Sequence, residues 1–360
     1  MAKKHCIVIG SGILGASVAW HLARAGAAVT ILEAEQAGGR ATRDSWAWIN
    51  ASWGNPQPYF HLRQRAMQEW QRLARQVPDV RLDRCGGLIW DLPPDQLEAF
   101  AKEHSTWGYE LERIDGKGAL QIEPGIKQAP NFALHMPQEG KVEPLNAALA
   151  LLAAARKMGA RLLVNTPVSS LMHTGDRIAG VRTGDAVQEA DEVVIAAGVG
   201  SATLLRGLGL HYAVQAPTGL LVHSKPTRRL LTTLLMATEL HVRQTSEGRL
   251  VAGTDFVGSM DGTAPDVMAA QLYQKVQAMV AGSENVAMDF YTMGQRPTPG
   301  DGFPMVGRPK DTAGLYLVLS HSGITLAPAL GLFSSQELLS GVRDPLLANY
   351  HPDRLLQPAD

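Results

Sequence analysis

The chain has 360 residues, of which 45% are hydrophobic and 19% charged, with a formal net charge of −1. Near-neutrality excludes partners met through a clustered basic excess, nucleic acid above all, and the apolar share is enough to bury a sizeable core. Two cysteines, Cys6 and Cys85, exclude a disulfide framework.

The N-terminus runs straight into an apolar strand, without the separate apolar stretch and cleavage site of a secretory leader. The longest apolar run, Ala147–Ala155, is closed by Arg156 and Lys157, short of the ~20 residues that cross a bilayer. A soluble, cytoplasmic protein with no membrane span and no metal site is expected.

Cys6–Gly10 is a short apolar run of the kind found in buried parallel strands. Ala16–Ala25 has helical composition with Gly26 as its stop, and Ala28–Leu32 reads as a second strand ending at Glu33. Pro56 and Pro58 then break the chain, and Phe60–Gln76 reads as a helix with arginines and glutamines on an exposed face. Cys85–Leu92 reads as a strand, Pro93 and Pro94 as a turn, and Leu97–Trp107 as a helix. Pro144–Gly159 is strongly helical; Arg161–Asn165, Ser169–Thr174 and Arg177–Thr183 read as strands, the last two joined at Gly175 and Asp176. Glu192–Gly198 is another buried strand, Ala213–Val257 is β-rich, Ala264–Val280 helical, Leu315–Leu319 a strand and Leu326–Leu339 a helix.

This alternation predicts an α/β chain. A Rossmann-like dinucleotide-binding domain (residues 1–49, 143–212 and 297–360) is interleaved with a smaller α+β substrate domain (residues 50–142 and 213–296) that carries an antiparallel sheet.

Gly10-Ser11-Gly12-Ile13-Leu14-Gly15 lies between the first strand and the first helix. Gly10 permits the tight turn, Gly12 lets the backbone approach a pyrophosphate, and Gly15 allows close helix–strand packing beneath a helix N-terminus that favours negative charge. Glu33, 23 residues after Gly10, ends the second strand where a carboxylate can accept hydrogen bonds from an adenosine ribose, with Ala34 beside it. The fingerprint points to a dinucleotide without separating NAD from FAD.

Four stretches together resemble the D-amino-acid oxidase superfamily of flavoenzymes, which includes glycine oxidase and monomeric sarcosine oxidase. The first is the unit ending at Glu33. The second is Arg40-Ala41-Thr42 leading to Ser45-Trp46-Ala47-Trp48, similar to the family's loop over the pyrophosphate and ribityl chain. The tryptophans depart from the family's small residues; they form either an aromatic pocket wall or part of the core. The third is Val168 followed by Ala196-Ala197-Gly198, and the fourth is Gly294-Gln-Arg296-Pro-Thr-Pro followed by Ser322-Gly323-Ile324-Thr325.

The resemblance implies non-covalent FAD, with Met293 near the position where sarcosine oxidase carries its attachment cysteine. It implies that Arg296 grips a substrate carboxylate, as a planar guanidinium fork suits. The backbone N–H groups of Gly323, Ile324 and Thr325 would face the flavin N1–C2=O edge. His241 and Arg243 match a pocket strand, with a solvent-facing strand position as the alternative, and His321 sits beside the flavin turn. Val251 falls near the family's oxygen-promoting lysine, with Arg249 a substitute only in another register. The implied reaction is oxidation of the C–N bond of a small amino acid or N-substituted glycine by hydride transfer to flavin N5, then imine hydrolysis, with oxygen or another electron acceptor. The alternatives are a dehydrogenase feeding a quinone or protein, and a flavin-binding subunit of a larger complex; oligomeric state is left open.

Overall fold

A computed structural model describes residues 3–358 apart from Trp53, Ala213 and residues 255–262. The β-rich span expected over Ala213–Val257 therefore has its first residue and residues 255–257 outside the described residues.

The apolar runs become a six-stranded sheet. Its order is Met305–Gly307, Leu315–Leu319, Glu192–Ile195, His5–Ile9, Ala28–Leu32, Arg161–Leu163, parallel except for the first pair. Continuous Val/Ile/Leu runs suit this position because helices or loops cover both faces of a parallel sheet. Helices Ile13–Arg24, Pro144–Lys157 and Gly323–Ser340 pack on one side.

A second, eight-stranded sheet runs Met288–Gln295, Thr218–Ser224, Leu250–Gly253, His241–Gln244, Leu234–Ala237, Gly87–Trp90, Phe132–Met136, Glu112–Asp115. It is antiparallel except where Leu234–Ala237 lies parallel to Gly87–Trp90. One face carries Leu220, Val222, Val242 and Ala252 against the helix Pro265–Met279. The opposite, inner face carries Ile89, Leu134 and Met236, which join the core beneath the first sheet.

The helix expected over Phe60–Gln76 begins earlier, at Gln57, because Pro58 falls in the first turn where its missing N–H costs nothing. Pro94 opens the next helix, Pro94–Thr106, for the same reason instead of forming a turn. Arg63 corrects the reading of that first helix's arginines as exposed: it is buried.

Candidate active site

The glycine turn is enforced by sterics. Gly10 has φ +101°, and a Cβ there would lie 2.5 Å from the Ala196 carbonyl oxygen. A Cβ on Gly15 would lie 2.0 Å from the Gly10 oxygen, so the helix Ile13–Arg24 packs closer to the turn than alanine allows. The backbone N–H of Ile13 donates to Thr42 Oγ1 at 2.9 Å, which ties Arg40–Arg43 to this helix start. Glu33 is buried, and its Oε2 accepts from the Ser11 N–H at 2.8 Å and the Ser11 hydroxyl at 2.6 Å. The Thr166 N–H donates to the Glu33 carbonyl, bringing half-buried Val168 alongside, whereas Ala34 is exposed. Ala196, Ala197 and Gly198 follow the strand Glu192–Ile195, and Gly198 lies near Pro297, the neighbour of Arg296.

A second helix start converges on the first. A Cβ on Gly323 would lie 3.6 Å from Leu14, so the N-termini of Gly323–Ser340 and Ile13–Arg24 adjoin. The N–H groups of Gly323, Ile324 and Thr325 precede the first intrahelical bond, Leu326 N–H to the Ser322 carbonyl. Neither helix has an acidic residue of its own in its first turn; the buried Glu33 carboxylate reaches the first of them only at Ser11, ahead of the helix start. Thr325 Oγ1 donates to the Trp48 carbonyl at 3.0 Å, and Arg63 donates from Nη1 to Ser322 Oγ at 2.7 Å. A glycine turn open to a polyanion, a buried carboxylate at the second strand's end and two adjoining helix N-termini fit a dinucleotide with an anionic redox ring.

Arg296 is half-buried, with its guanidinium stacked where a Gly219 side chain would stand: a Cβ there would lie 3.1 Å from Nη2. Burial, then the Arg296 and Arg63 charges, push the His321 imidazole down to about 4, so His321 is neutral at pH 7. Trp46 and Trp48 meet edge to face at 6.1 Å. The Trp46 indole N–H donates to the Val251 carbonyl at 3.1 Å, fixing that ring on the inner face of the large sheet, 6.0 Å from the His241 ring. Ala47 between them has φ +63°, a left-handed backbone that alanine rarely adopts, and Ser45 Oγ accepts its N–H.

Two expected ligand residues are tied to protein partners. Arg243, 2% exposed, donates from Nε to the Trp46 carbonyl at 2.6 Å and pairs with Glu143 at 3.3 Å, so it holds the Trp46 loop. The Arg40 side chain is 81% exposed and pairs with Glu35 on the surface; only its backbone belongs to the loop over the glycine turn. Half-buried Ala41 stays within that loop.

Two groups went unnoticed in the sequence. Arg63 donates to the carbonyl of Asn50 at 3.1 Å and to its side-chain oxygen as well as to Ser322. Glu139, fully buried, accepts from Trp48 Nε1 at 2.7 Å, from Ser52 Oγ at 2.6 Å and from the Tyr109 hydroxyl.

Comparison with known proteins agrees with this arrangement. The glycine oxidase of Bacillus licheniformis is 27% identical over 354 residues, covering 94% of both chains. An opine oxidase subunit of Agrobacterium tumefaciens is 27% identical over 354 residues, covering 93% of both. Among solved structures, iminodiacetate oxidase from a Chelativorans species superimposes with a TM-score of 0.85 at 22% identity, covering 96% of this chain and 98% of the other. The sequence also matches the family model described as FAD dependent oxidoreductase (DAO) over residues 5–336. The chain belongs to the DAO family of FAD-dependent oxidoreductases.

Proposed function

We propose that the protein oxidises the C–N bond of a small amino acid or N-substituted glycine. The observation that carries this reading is the position of Arg296, a half-buried guanidinium above a bare glycine of the sheet, whose charge is felt at His321 just before the helix Gly323–Ser340. Support comes from relatives named for glycine, opine and iminodiacetate oxidation. We also propose that residues 1–49, 143–212 and 297–360 form the FAD-binding domain and residues 50–142 and 213–296 the substrate domain. The six-stranded sheet draws only on the first set and the eight-stranded sheet only on the second.

In this reading Gly10–Gly15, Glu33, the loop from Arg40 to Ala47, Val168, Ala196–Gly198 and Ser322–Thr325 hold FAD. It is held without a covalent link: Cys6 is sealed in the first strand and Cys85 lies beside Lys141. FAD supplies the hydride acceptor. Arg296 binds the substrate carboxylate through two parallel charged hydrogen bonds and so fixes which C–H faces the acceptor. The Gly323–Ser340 N-terminus opposes negative charge gained during the reaction. Neutral His321 adds a hydrogen-bonding group without adding a charge. The amine leaves as an imine, which water hydrolyses.

An acceptor other than oxygen is the second reading, favoured by the inner face of the sheet. Val251 there is apolar and buried, and Arg249 is tied to Asp289 and the Ser224 carbonyl.

The test is anaerobic bleaching of the bound flavin across glycine, sarcosine, iminodiacetate and matched amines lacking a carboxylate. Bleaching by the carboxylate-bearing amines is expected; bleaching by none of them overturns the reading. Glu33→Ala is expected to weaken FAD binding ~10- to 150-fold, because the adenosine ribose loses its hydrogen bond to a charged group, worth ~1.5–3 kcal/mol. Turnover of the fully loaded variant should change far less. Fluorescence titration of the apoprotein with FAD measures this, and an unchanged affinity contradicts the assignment.

A further inference from the structure

The buried face of the helix Gln57–Gln76 carries a cation among Tyr59, Phe60, Leu62, Ala66 and Met67. Arg63 is 6% exposed. Its Nε donates to the Asn50 carbonyl at 3.1 Å, its Nη1 to the Ser322 hydroxyl at 2.7 Å and its Nη2 to the Asn50 side-chain oxygen. Its guanidinium carbon lies 5.4 Å from the centre of the Tyr59 ring. All of these partners are neutral; among the described residues none is a carboxylate. Arg65 and Arg72 on the same helix, by contrast, both pair with Glu69.

A guanidinium does not shed its proton to escape burial, so an arginine in such a place stays charged. Hydrogen bonds to neutral oxygens satisfy its donors without offsetting its charge, which is costly in the interior unless an anion is near. The buried Glu139 carboxyl feels this charge but does not neutralise it. Its oxygens are taken by Trp48, Ser52 and Tyr109, and burial pushes it up to about 7 against those hydrogen bonds and the Arg63 charge. Near neutral pH it therefore supplies only part of a negative charge. The Arg63 charge bears also on the turn that opens the helix Gly323–Ser340. Ser322 is the N-cap there, its side chain caps no helical N–H, and its hydroxyl accepts from Arg63. The neighbouring His321 imidazole is held down by burial, then by Arg296 and Arg63, so both guanidinium fields reach the turn.

We propose that Arg63 is the standing counter-charge for reduced flavin, and that it raises the reduction potential of the bound cofactor. This rests on the reading above, in which Ser322–Thr325 hold FAD. A hydride carries two electrons and one proton, so a neutral acceptor ring that receives it is left with one negative charge until a second proton arrives. The N–H groups of Gly323, Ile324 and Thr325, ahead of the first intrahelical bond, offer partial positive charge to that anion, and Arg63 adds a whole one behind them. Arg63 touches neither substrate nor ring in this scheme; it acts through Ser322 and through its field, as a positioning residue. Between unit charges roughly 6–12 Å apart, at an effective dielectric constant of about 20, such a field moves an equilibrium ~10- to 100-fold.

The test measures the midpoint potential of the FAD-loaded protein, reduced stepwise against reference dyes without substrate, beside titration of the apoprotein with oxidised FAD. Arg63→Gln is expected to lower the reduction equilibrium ~10- to 100-fold, a shift of ~30–60 mV to more negative potential at about 30 mV per tenfold for two electrons. Its affinity for oxidised FAD should fall by less than that. Arg63→Lys keeps the charge without the fork and should stay within ~3-fold of the parent equilibrium. Ser322→Ala, which removes one acceptor and leaves the cation, should do the same. A merely structural role for Arg63 would weaken FAD binding in all three variants and leave the potential at the parent value. An unmoved potential in Arg63→Gln, or a drop in Arg63→Lys as large as in Arg63→Gln, overturns the proposal. Should Arg63→Gln not fold, the parent decides: reduced FAD should bind it at least ~10-fold more tightly than oxidised FAD, the lower end of the same field effect, and equal or weaker binding of the reduced form overturns the proposal. If the apoprotein takes up no FAD, the reading above falls and this with it. If it takes up FAD and the potential ignores the Arg63 charge, only this inference falls.

Discussion

Arg296→Ala is expected to lower kcat/KM for flavin reduction by a carboxylate-bearing amine ~10²- to 10⁴-fold while FAD stays bound. The carboxylate loses its bidentate partner in a half-buried site, and removing one partner of a buried charged pair costs about 3–5 kcal/mol. Arg296→Lys should recover only part of the loss, since an ammonium keeps the charge without the planar fork. An amine without a carboxylate should be far less affected. The Gly219 contact supplies an independent handle: a Cβ there would lie 3.1–3.4 Å from three guanidinium atoms, so Gly219→Ala pushes Arg296 out of place without removing it. Its effect should run in the same direction and be smaller. Stopped-flow reduction with matched acid and amine substrates measures all of these. Near-parental efficiency of Arg296→Ala with the acid would make the arginine structural.

What was legible in the sequence is what local physics fixes. The Val/Ile runs and the Gly10–Gly15 spacing announce a strand, a turn and a helix, because a parallel strand must be apolar on both faces and the turn must lack Cβ atoms. The Arg-Pro step at Arg296 was legible through resemblance alone. What stayed hidden depends on partners far along the chain. Arg243 and Arg63 have the composition of many surface arginines. Their partners lie 100 residues away at Glu143 and 259 residues away at Ser322. The Asp91–His241 pair is likewise brought together only by the parallel pairing of Gly87–Trp90 with Leu234–Ala237, a register that no short pattern announces. The short helix Gly116–Ile122 was missed because its two glycines look like loop; Asp115 caps it by accepting the Gly118 N–H.

Glu139→Ala is expected to cause the largest stability loss, about 3–6 kcal/mol, because it orphans three buried donors at ~1–3 kcal/mol each, partly relieved if Ser52 and Tyr109 pair with one another. Those donors fix the segment from Trp48 to Ser52, whose backbone also meets Thr325 at the helix start and Tyr109 at the Ala51 N–H. Glu139→Gln separates shape from charge. Burial pushes the Glu139 carboxyl up to about 7, against hydrogen bonds from Ser52, Tyr109 and Trp48 and the Arg63 charge that pull it down. The folded state therefore binds this proton more tightly than the unfolded chain does. Between the ordinary carboxylate range and about pH 7 the unfolded state holds fewer protons, so this group's contribution to stability falls as pH rises and levels off above about 7. Glu139→Gln should remove that part of the slope and flatten the denaturation midpoint between about pH 5 and 7, with FAD saturating throughout. Its amide nitrogen, placed toward Trp48, would oppose one donor with another, so the variant should also sit below the parent at pH 5, where the parent carboxyl is protonated and keeps an acceptor oxygen. A variant whose midpoint tracks the parent's across this range would show that Glu139 does not titrate there and that its three hydrogen bonds act on a carboxyl of fixed charge.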